Sequence, residues 1–246
     1  MTALSAVRRD TRMPDAAALE VDIAAKAFGG TPVSASLASV RFTIGPGEVV
    51  ALLGASGSGK STTLRIALGL DHAFRGHVVR RYARPGVVFQ EPRLLPWLTV
   101  GDNLRLVAGP RADADAVGAL LAAMGLPDAA MRRPRALSLG MARRVALARA
   151  LVVEPDFLVL DEPFASLDPS LSAVLGAYVA RWARARGAGV LLATHDAAQA
   201  LRIADRLLIL AGTPTTLAED VLTAEAREGA DLARHLADRF PFLTAV

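Results

Sequence analysis

The sequence predicts an α/β fold in which a parallel sheet is interrupted by a helical insertion. Four apolar runs, at residues 48–53, 86–89, 157–160 and 190–194, have the length and continuous hydrophobicity of parallel strands buried on both faces. A glycine-rich loop follows the first run and leads into a segment with helical spacing. Strand signals then stop between Pro92 and Leu151, which predicts that helices are inserted into the sheet-forming core.

The other predicted elements complete this outline. Residues 19–23 and 40–44 alternate apolar and polar positions, which predicts half-buried strands, and residues 77–79 and 207–210 are candidates for two more. Helices are expected over residues 61–70, 113–124 and 139–153, the second ending at Gly125. Residues 1–18 are expected to form a flexible extension. Residues 19–246 are expected to form one domain, with a core of residues 19–90 and 152–246 and a helical subdomain of residues 91–151.

Composition limits the classes of function. The chain has 246 residues, of which 52% are hydrophobic, so it can bury a substantial core. No apolar run approaches the roughly 18 residues of a membrane span. The absence of cysteine excludes disulfides, thiolate catalysis and cysteine-bound metals. The net charge is +4, and the arginine clusters at residues 80–84 and 132–135 are interpreted as solvated faces, so no nucleic-acid partner is expected.

The glycine-rich loop carries the strongest chemical signal. It matches the pattern G-x-x-x-x-G-K-[ST], whose backbone N–H groups cradle phosphates while the lysine reaches the β- and γ-phosphates and the following hydroxyl binds Mg²⁺. Lys60 is one of only two lysines, the other being Lys26. The alternative is a glycine-rich turn that happens to contain lysine. The predicted nucleotide contacts are Gly54, Ala55, Ser56, Gly57, Ser58, Gly59, Lys60, Ser61 and Thr62.

Three further segments place polar groups just after predicted core strands. In the run FLVLDEP, Asp161 and Glu162 directly follow the apolar residues 157–160. Asp161 is expected to hold Mg²⁺ and Glu162 to polarise the attacking water. His195 follows the run at 190–194 and is expected to contact the γ-phosphate and that water. Gln90 follows the run at 86–89 and offers an amide to Mg²⁺ or water. The alternatives are solvated acids at a strand end and a structural histidine.

A fourth segment lies at the start of a predicted helix. Ser138 precedes the helical run in LSLGMARRVALARAL, where a serine is an ordinary N-cap. The functional alternative is a second phosphate-binding helix terminus, which would contact a nucleotide held by another subunit.

These segments, in this order, resemble an ATP-binding cassette (ABC) ATPase. The resemblance implies a P-loop NTPase (RecA-like) core with a parallel sheet, an antiparallel β subdomain and an inserted helical subdomain. It further implies ATP and Mg²⁺ as cofactors, and a head-to-tail dimer or pseudo-dimer that binds ATP between the phosphate loop of one cassette and the signature motif of the other. In this sequence the resemblance assigns adenine stacking to Phe28, signature contacts to Ser138 and Gly140, and a dimer-loop contact to Asp168. One departure is Leu139, which replaces the usual first glycine of the signature.

The run QEPRLLPWLTVGDNL gives a finer resemblance, to the importer ATPases for nitrate, taurine, aliphatic sulfonates and pyrimidine precursors. It implies a peripheral protein at the cytoplasmic face of the inner membrane. The partners would be a membrane permease, contacted through the Gln90–Trp97 region, and indirectly a periplasmic solute-binding protein. Core packing is the alternative for Leu94, Leu95 and Trp97. The competing functions are a soluble ABC ATPase acting on nucleic acid or the ribosome, and a regulatory subunit that binds nucleotide without hydrolysing it.

Overall fold

The computed structural model describes residues 17–27, 37–109, 113–223, 234 and 238–243. Phe28 and most of the predicted extension, residues 1–16, lie outside the described residues. The strands are β1 (Leu19–Lys26), β2 (Leu37–Ile44), β3 (Val49–Gly54), β4 (Arg75–Arg80), β5 (Pro85–Val88), β6 (Phe157–Asp161), β7 (Gly189–Thr194), β8 (Arg206–Ala211) and β9 (Thr216–Leu222). The helices are α1 (Lys60–Leu68), α2 (Val100–Ala108), α3 (Ala114–Ala123), α4 (Leu139–Leu151), α5 (Pro169–Arg186) and α6 (Ala197–Ile203), with short 3₁₀ turns at Pro134–Ala136 and Pro241–Leu243.

The central sheet has the strand order β5-β6-β7-β3-β8-β9. Its strands from β5 to β8 are parallel, and β9 pairs antiparallel with β8. Alternate residues of β3 enter two different cores. Leu53 packs with the inserted helices and α5, whereas Leu52 packs with α1 and a second sheet. Burial on both faces explains why these strands are continuously apolar.

The second sheet is antiparallel, with the order β2-β1-β4. In β1, Leu19, Val21 and Ile23 are buried and Asp22 is only partly so, as predicted for a half-buried strand, but Glu20 departs from the alternation because it is buried and paired with Arg81. None of the described helices is both long and apolar enough to cross a membrane.

The predicted strands and the predicted helices at residues 61–70, 113–124 and 139–153 are confirmed with small shifts at their ends. The strand β9 and the helices α2, α5 and α6 are additions to the prediction. A local signal for α2 was present in the sequence: Thr99 caps the helix by accepting from the N–H of Asp102 at 3.1 Å.

The interpretation of residues 80–84 as a solvated face is wrong in part. Arg80 donates from Nε to the carbonyl of Ala67 at 2.6 Å, so it caps the carboxyl end of α1, and Tyr82 donates to the same oxygen at 3.0 Å. Arg81 pairs with Glu20. Lys26 is also buried, and its ammonium pairs with Asp71 at 2.8 Å.

Candidate functional site

The phosphate loop, residues 54–62, joins β3 to α1 and leaves several backbone donors unused. Gly59 precedes α1 in a left-handed conformation with φ of 90° and supplies no side-chain cap. The N–H of Thr63 donates to the carbonyl of Gly59 at 2.8 Å. Among the described residues, the N–H groups of Lys60, Ser61 and Thr62 have no backbone acceptor. An uncapped helix N-terminus with free N–H groups is a binding site for an anion.

Two glycines lie in close packing around this loop. A Cβ atom on Gly54 would lie 3.0 Å from the carbonyl oxygen of Leu210, and one on Gly59 would lie 2.5 Å from Cδ2 of Leu37. Gly59 also has the positive φ that side chains disfavour. The glycine pattern therefore follows from the shape of the loop.

The side chain of Lys60 folds back against the first residues of the phosphate loop. Its Nζ donates to the carbonyl of Gly54 at 2.7 Å and to that of Ala55 at 3.2 Å. Burial lowers the pKa of the Lys60 ammonium, and the negative charges of Glu162 and Asp161 oppose that shift. A lysine has three N–H donors, so one remains for an anion after these two contacts.

The acidic pair lies at the carboxyl end of β6, the same sheet edge as the phosphate loop. Asp161 is the last residue of β6 and hydrogen-bonds with the Ser61 hydroxyl. Burial raises the pKa of Asp161, and the neighbouring charge of Glu162 raises it further, while the bond to Ser61 opposes both effects. A cation at this position would relieve the cost of burying the carboxylate charge.

Glu162 and His195 come into direct contact. Nδ1 of His195 lies 2.9 Å from Oε1 of Glu162. Because a carboxylate only accepts hydrogen bonds, the contact requires the imidazole proton on Nδ1 and directs its Nε2 elsewhere. Glu162 has a φ of 49°, which is unfavourable for a residue with a side chain, and its N–H donates to the carbonyl of Ala193 at 2.9 Å. Strained backbones of this kind concentrate at functional sites.

Gln90 follows the carboxyl end of β5 and so lies at the same edge of the central sheet. It lines a cavity of about 150 Å³ together with Ser61, Asp161, Glu91 and Arg93. The hydroxyl, amide and carboxylate oxygens of Ser61, Gln90 and Asp161 are of the type that Mg²⁺ prefers. The described residues contain no group of three or more His, Cys, Asp or Glu side chains that could hold a metal ion by themselves.

Ser138 and Gly140 lie elsewhere on the chain. Ser138 caps α4, because its hydroxyl accepts from the N–H of Met141 at 3.2 Å. A Cβ atom on Gly140 would lie 3.2 Å from Leu167, and Arg143 donates to the carbonyl of Ala165. Among the described residues, no hydrogen bond or ion pair joins Ser138 or Gly140 to the phosphate loop.

The start of α4 therefore packs against the loop that precedes α5. Asp168 in that loop accepts from the N–H of Leu171 at 2.9 Å and so caps α5. This bond, with one from the Ser170 hydroxyl, lowers the pKa of Asp168. Leu139 is 53% exposed beside this contact, so it is not a core residue of the helical insertion.

The structure thus brings the phosphate loop, Gln90, Asp161, Glu162 and His195 to one edge of the sheet, and leaves Ser138, Gly140 and Asp168 on a separate surface. Arg149 was not among the predicted site residues, although its guanidinium contacts the loop that carries Gln90. Its only local signal was an arginine within a helix, which is common on solvated faces.

The arrangement is suited to holding the phosphates of a nucleotide and to activating a water molecule beside them. The free N–H groups and Lys60 supply positive potential for phosphate oxygens. Glu162 supplies a carboxylate that can accept a proton, and His195 fixes its position.

Comparison with known proteins agrees with this geometry. A family model described as "ABC transporter" matches residues 37–165, which is more than half of the 246 residues. The aliphatic sulfonates import ATP-binding protein SsuB 1 of Pseudomonas syringae pv. syringae is 42% identical over 199 residues, covering 81% of this chain and 83% of that protein. The protein of the same name from Pseudomonas aeruginosa is 45% identical over 202 residues, covering 77% and 80%.

Solved structures are also similar. A dimeric ATP-binding cassette in a post-hydrolysis state, bound to ADP and Pi, superposes with a TM-score of 0.75 and 26% identity, covering 83% of this chain and 98% of that one. An ATP-binding subunit of an ABC transporter superposes with a TM-score of 0.74 and 29% identity, covering 87% and 93%.

Proposed function

Because this chain belongs to the ABC transporter family and is an ATPase, we propose that it is the ATP-hydrolysing subunit of a bacterial importer for aliphatic sulfonates. The substrate class rests on the name shared by its relatives. In this account the protein is peripheral, at the cytoplasmic face of the inner membrane, and a solute-binding protein and a permease select the sulfonate. The same comparisons favour transport over a role on nucleic acid or the ribosome.

ATP hydrolysis is inferred chiefly from one observation: the phosphate loop and the hydrogen-bonded pair of Glu162 and His195 lie at the same edge of the central sheet. Ser61, Gln90 and Asp161 would hold Mg²⁺, which would neutralise phosphate charge. Lys60 and the free N–H groups of α1 bind the β- and γ-phosphates. Glu162 accepts a proton from the attacking water, and the Nδ1–H of His195 orients the Glu162 carboxylate.

A second copy of the chain, or a related cassette, completes this site. Ser138 and Gly140 lie on the surface formed with the loop before α5, away from the phosphate loop of their own chain, and solved relatives include a dimeric cassette. A head-to-tail dimer would bring this surface over the γ-phosphate bound to the partner. Asp168 contributes by fixing the loop that precedes α5, and Phe28 is proposed to stack on adenine.

Leu139→Gly is expected to raise ATP turnover by about tenfold. Leu139 stands at the first turn of α4, and its exposed side chain would keep the opposite γ-phosphate from the N–H groups of that turn. Recovery of a hydrogen bond to a charged group is worth about 1.5 kcal/mol at the low end, which corresponds to roughly a factor of ten in rate. The variant should also dimerise at a lower ATP concentration. Phosphate release and light scattering measure the two effects.

Leu106→Gly is the matched control. Leu106 is 62% exposed on α2, so this change removes a similar exposed leucine and carries the same helix penalty of about 1 kcal/mol. It should lower the melting temperature without raising turnover. If both variants lose stability and neither hydrolyses ATP faster, Leu139 has no role in the dimer.

An exposed surface beside Gln90 is suited to the permease. Trp97 is 65% exposed and Met131 is 81% exposed. They are neighbours because the N–H groups of Val100 and Gly101 donate to the carbonyls of Arg132 and Ala130, each at 2.8 Å. Leu94, in contrast, packs against the core, so the packing alternative is correct for that residue.

The same surface is positively charged. Arg132, Arg133 and Arg135 are exposed, and no ion pair joins them to another described residue. Arg133 donates to the carbonyl of Trp97 at 3.4 Å. We call Trp97, Met131, Arg132, Arg133 and Arg135 the docking surface. Its apolar centre and basic edge are complementary to an amphipathic permease segment that carries acidic residues.

Trp97→Ala is expected to weaken binding to native membranes by at least tenfold, since a central tryptophan of an interface contributes about 2 kcal/mol or more. Binding is measured by sedimentation with membrane vesicles stripped of peripheral proteins, and ATP affinity checks that the variant is folded. Val174→Ala, which trims a 64% exposed side chain on α5, is the control. Equal binding by both variants would place the permease contact elsewhere.

Uptake measurements test the importer proposal. Cells that lack this chain should fail to accumulate radiolabelled ethanesulfonate, and wild-type protein should restore uptake while Glu162→Gln should not. Restoration by Glu162→Gln, or full uptake without the chain, would contradict the proposal.

A further inference from the structure

Gln90 belongs to a short loop that closes on itself. This glutamine loop, Phe89–Arg93, connects β5 to the segment before α2. The guanidinium of Arg93 stacks over the ring of Phe89, 4.3 Å from its centroid, so the two ends of the loop touch and Gln90 lies between them. Gln90, Arg93 and Asp161 then line the same cavity.

The loop has a backbone conformation that it would not adopt on its own. Arg93 has a φ of 48°, in the left-handed region that residues with a side chain disfavour. A conformation of this kind persists where surrounding contacts hold it.

Arg149, in the last turns of α4, provides such contacts. Its NH1 donates to the carbonyl of Arg93 at 2.6 Å, and its NH2 donates to the carbonyl of Pro92 at 2.8 Å. Two donors on one rigid guanidinium fix both carbonyl groups at once. Burial lowers the pKa of Arg149, so the protein keeps a partly desolvated cation against these two neutral acceptors.

We propose that Arg149 is a positioning residue, which holds Gln90 at the cavity with Ser61 and Asp161 by clamping the carbonyls of Pro92 and Arg93. The proposal rests on the proposed role of Gln90 in ATP hydrolysis. The same helix begins at Ser138 and Gly140, so Arg149 connects the glutamine loop of one nucleotide site to the signature surface that serves the other.

Arg149→Lys tests the clamp, because lysine keeps the charge but cannot hold two carbonyls in the fixed geometry of a guanidinium. We expect kcat for Mg²⁺-ATP to fall by about tenfold with little change in ATP affinity. A general disturbance of the structure could also lower kcat. The variant is therefore measured again in a Gln90→Ala background. There the same substitution should change kcat by less than about twofold, since Gln90 is no longer present to be positioned.

Arg144→Lys is the matched control. Arg144 is on the same helix and clamps two other carbonyls, those of Met124 and Gly125, each at 3.1 Å, away from the glutamine loop. Arg144→Lys should lower kcat by the same factor in the wild-type and Gln90→Ala backgrounds. Arg93→Ala provides a second approach from the exposed side of the loop. It removes the stack on Phe89 and should slow turnover only when Gln90 is present.

The outcomes separate the two proposals. If Gln90→Ala slows turnover but Arg149→Lys and Arg93→Ala cost the same factor in both backgrounds, Arg149 is a structural residue and the inference is wrong, while the role of Gln90 stands. If Gln90→Ala leaves turnover unchanged, the role of Gln90 and the inference both fail. Should Arg149→Lys not fold, Arg149→Met, which removes both donors but keeps a long unbranched side chain, is measured in the same two backgrounds and decides the question.

Discussion

Lys60→Ala should lower the affinity for ATP by about ten- to a hundredfold. The one N–H of Lys60 that is not bound to a loop carbonyl makes a charge-assisted bond to phosphate worth about 1.5–3 kcal/mol, which corresponds to roughly one to two powers of ten in affinity. The melting temperature without nucleotide should change by no more than a few degrees, because burial disfavours the charged form of Lys60 in the folded protein. Isothermal titration calorimetry and thermal melting measure the two quantities.

Lys60→Arg should bind ATP almost as poorly. The Nζ of Lys60 lies 2.7 Å from the carbonyl oxygen of Gly54. A guanidinium is larger and planar, so it does not fit in the same space. Lys26→Arg is the matched control, because Lys26 pairs with Asp71 and an arginine can make the same ion pair. Full ATP affinity in Lys60→Arg would contradict the account of the phosphate loop, as would an equal loss in Lys26→Arg.

Glu162→Gln should slow ATP hydrolysis by a factor of about 10²–10⁴, the usual contribution of a general base. Glutamine keeps the shape of the side chain but does not accept the proton of the attacking water. ATP binding should persist or strengthen. The charge of Glu162 raises the pKa of Asp161, so its removal favours the ionised Asp161 that binds a cation. The variant should accumulate as an ATP-bound dimer, which light scattering detects.

Glu154→Gln is the control for this change. Glu154 precedes β6 and also has a positive φ, of 48°, so the two substitutions remove the same charge from the same backbone conformation at opposite ends of one strand. Turnover should stay near the wild-type rate in Glu154→Gln. A monomeric Glu162→Gln with normal turnover would exclude Glu162 as the base.

The phosphate loop was predictable because it is continuous in sequence and its spacing is fixed by backbone geometry. Glu162 and His195 were each predicted from a polar residue that follows a buried strand, because the carboxyl ends of neighbouring parallel strands meet at one edge. The direct contact between them, which spans 33 residues, was not predicted.

Contacts that depend on tertiary packing were not predictable in the same way. Arg149 reaches the carbonyls of Pro92 and Arg93 across 57 and 56 residues, and nothing near it in sequence indicates the partner. Lys26 is buried because Asp71, 45 residues further on, provides its counter-ion. The sequence does not show whether an arginine or lysine faces water or another segment of the chain. For this reason the arginine cluster at residues 80–84 was wrongly interpreted, in part, as a solvated face.

Single-turnover formation of phosphate from ATP tests the central claim most directly. Wild-type protein and Glu162→Gln are mixed with ATP and Mg²⁺ at protein concentrations above the ATP concentration, and phosphate is quantified after rapid quenching. The account predicts Mg²⁺-dependent phosphate formation by the wild type, and ATP that stays bound and intact in Glu162→Gln. Phosphate formation at equal rates in the two proteins, or none in a wild type that binds ATP, would contradict it.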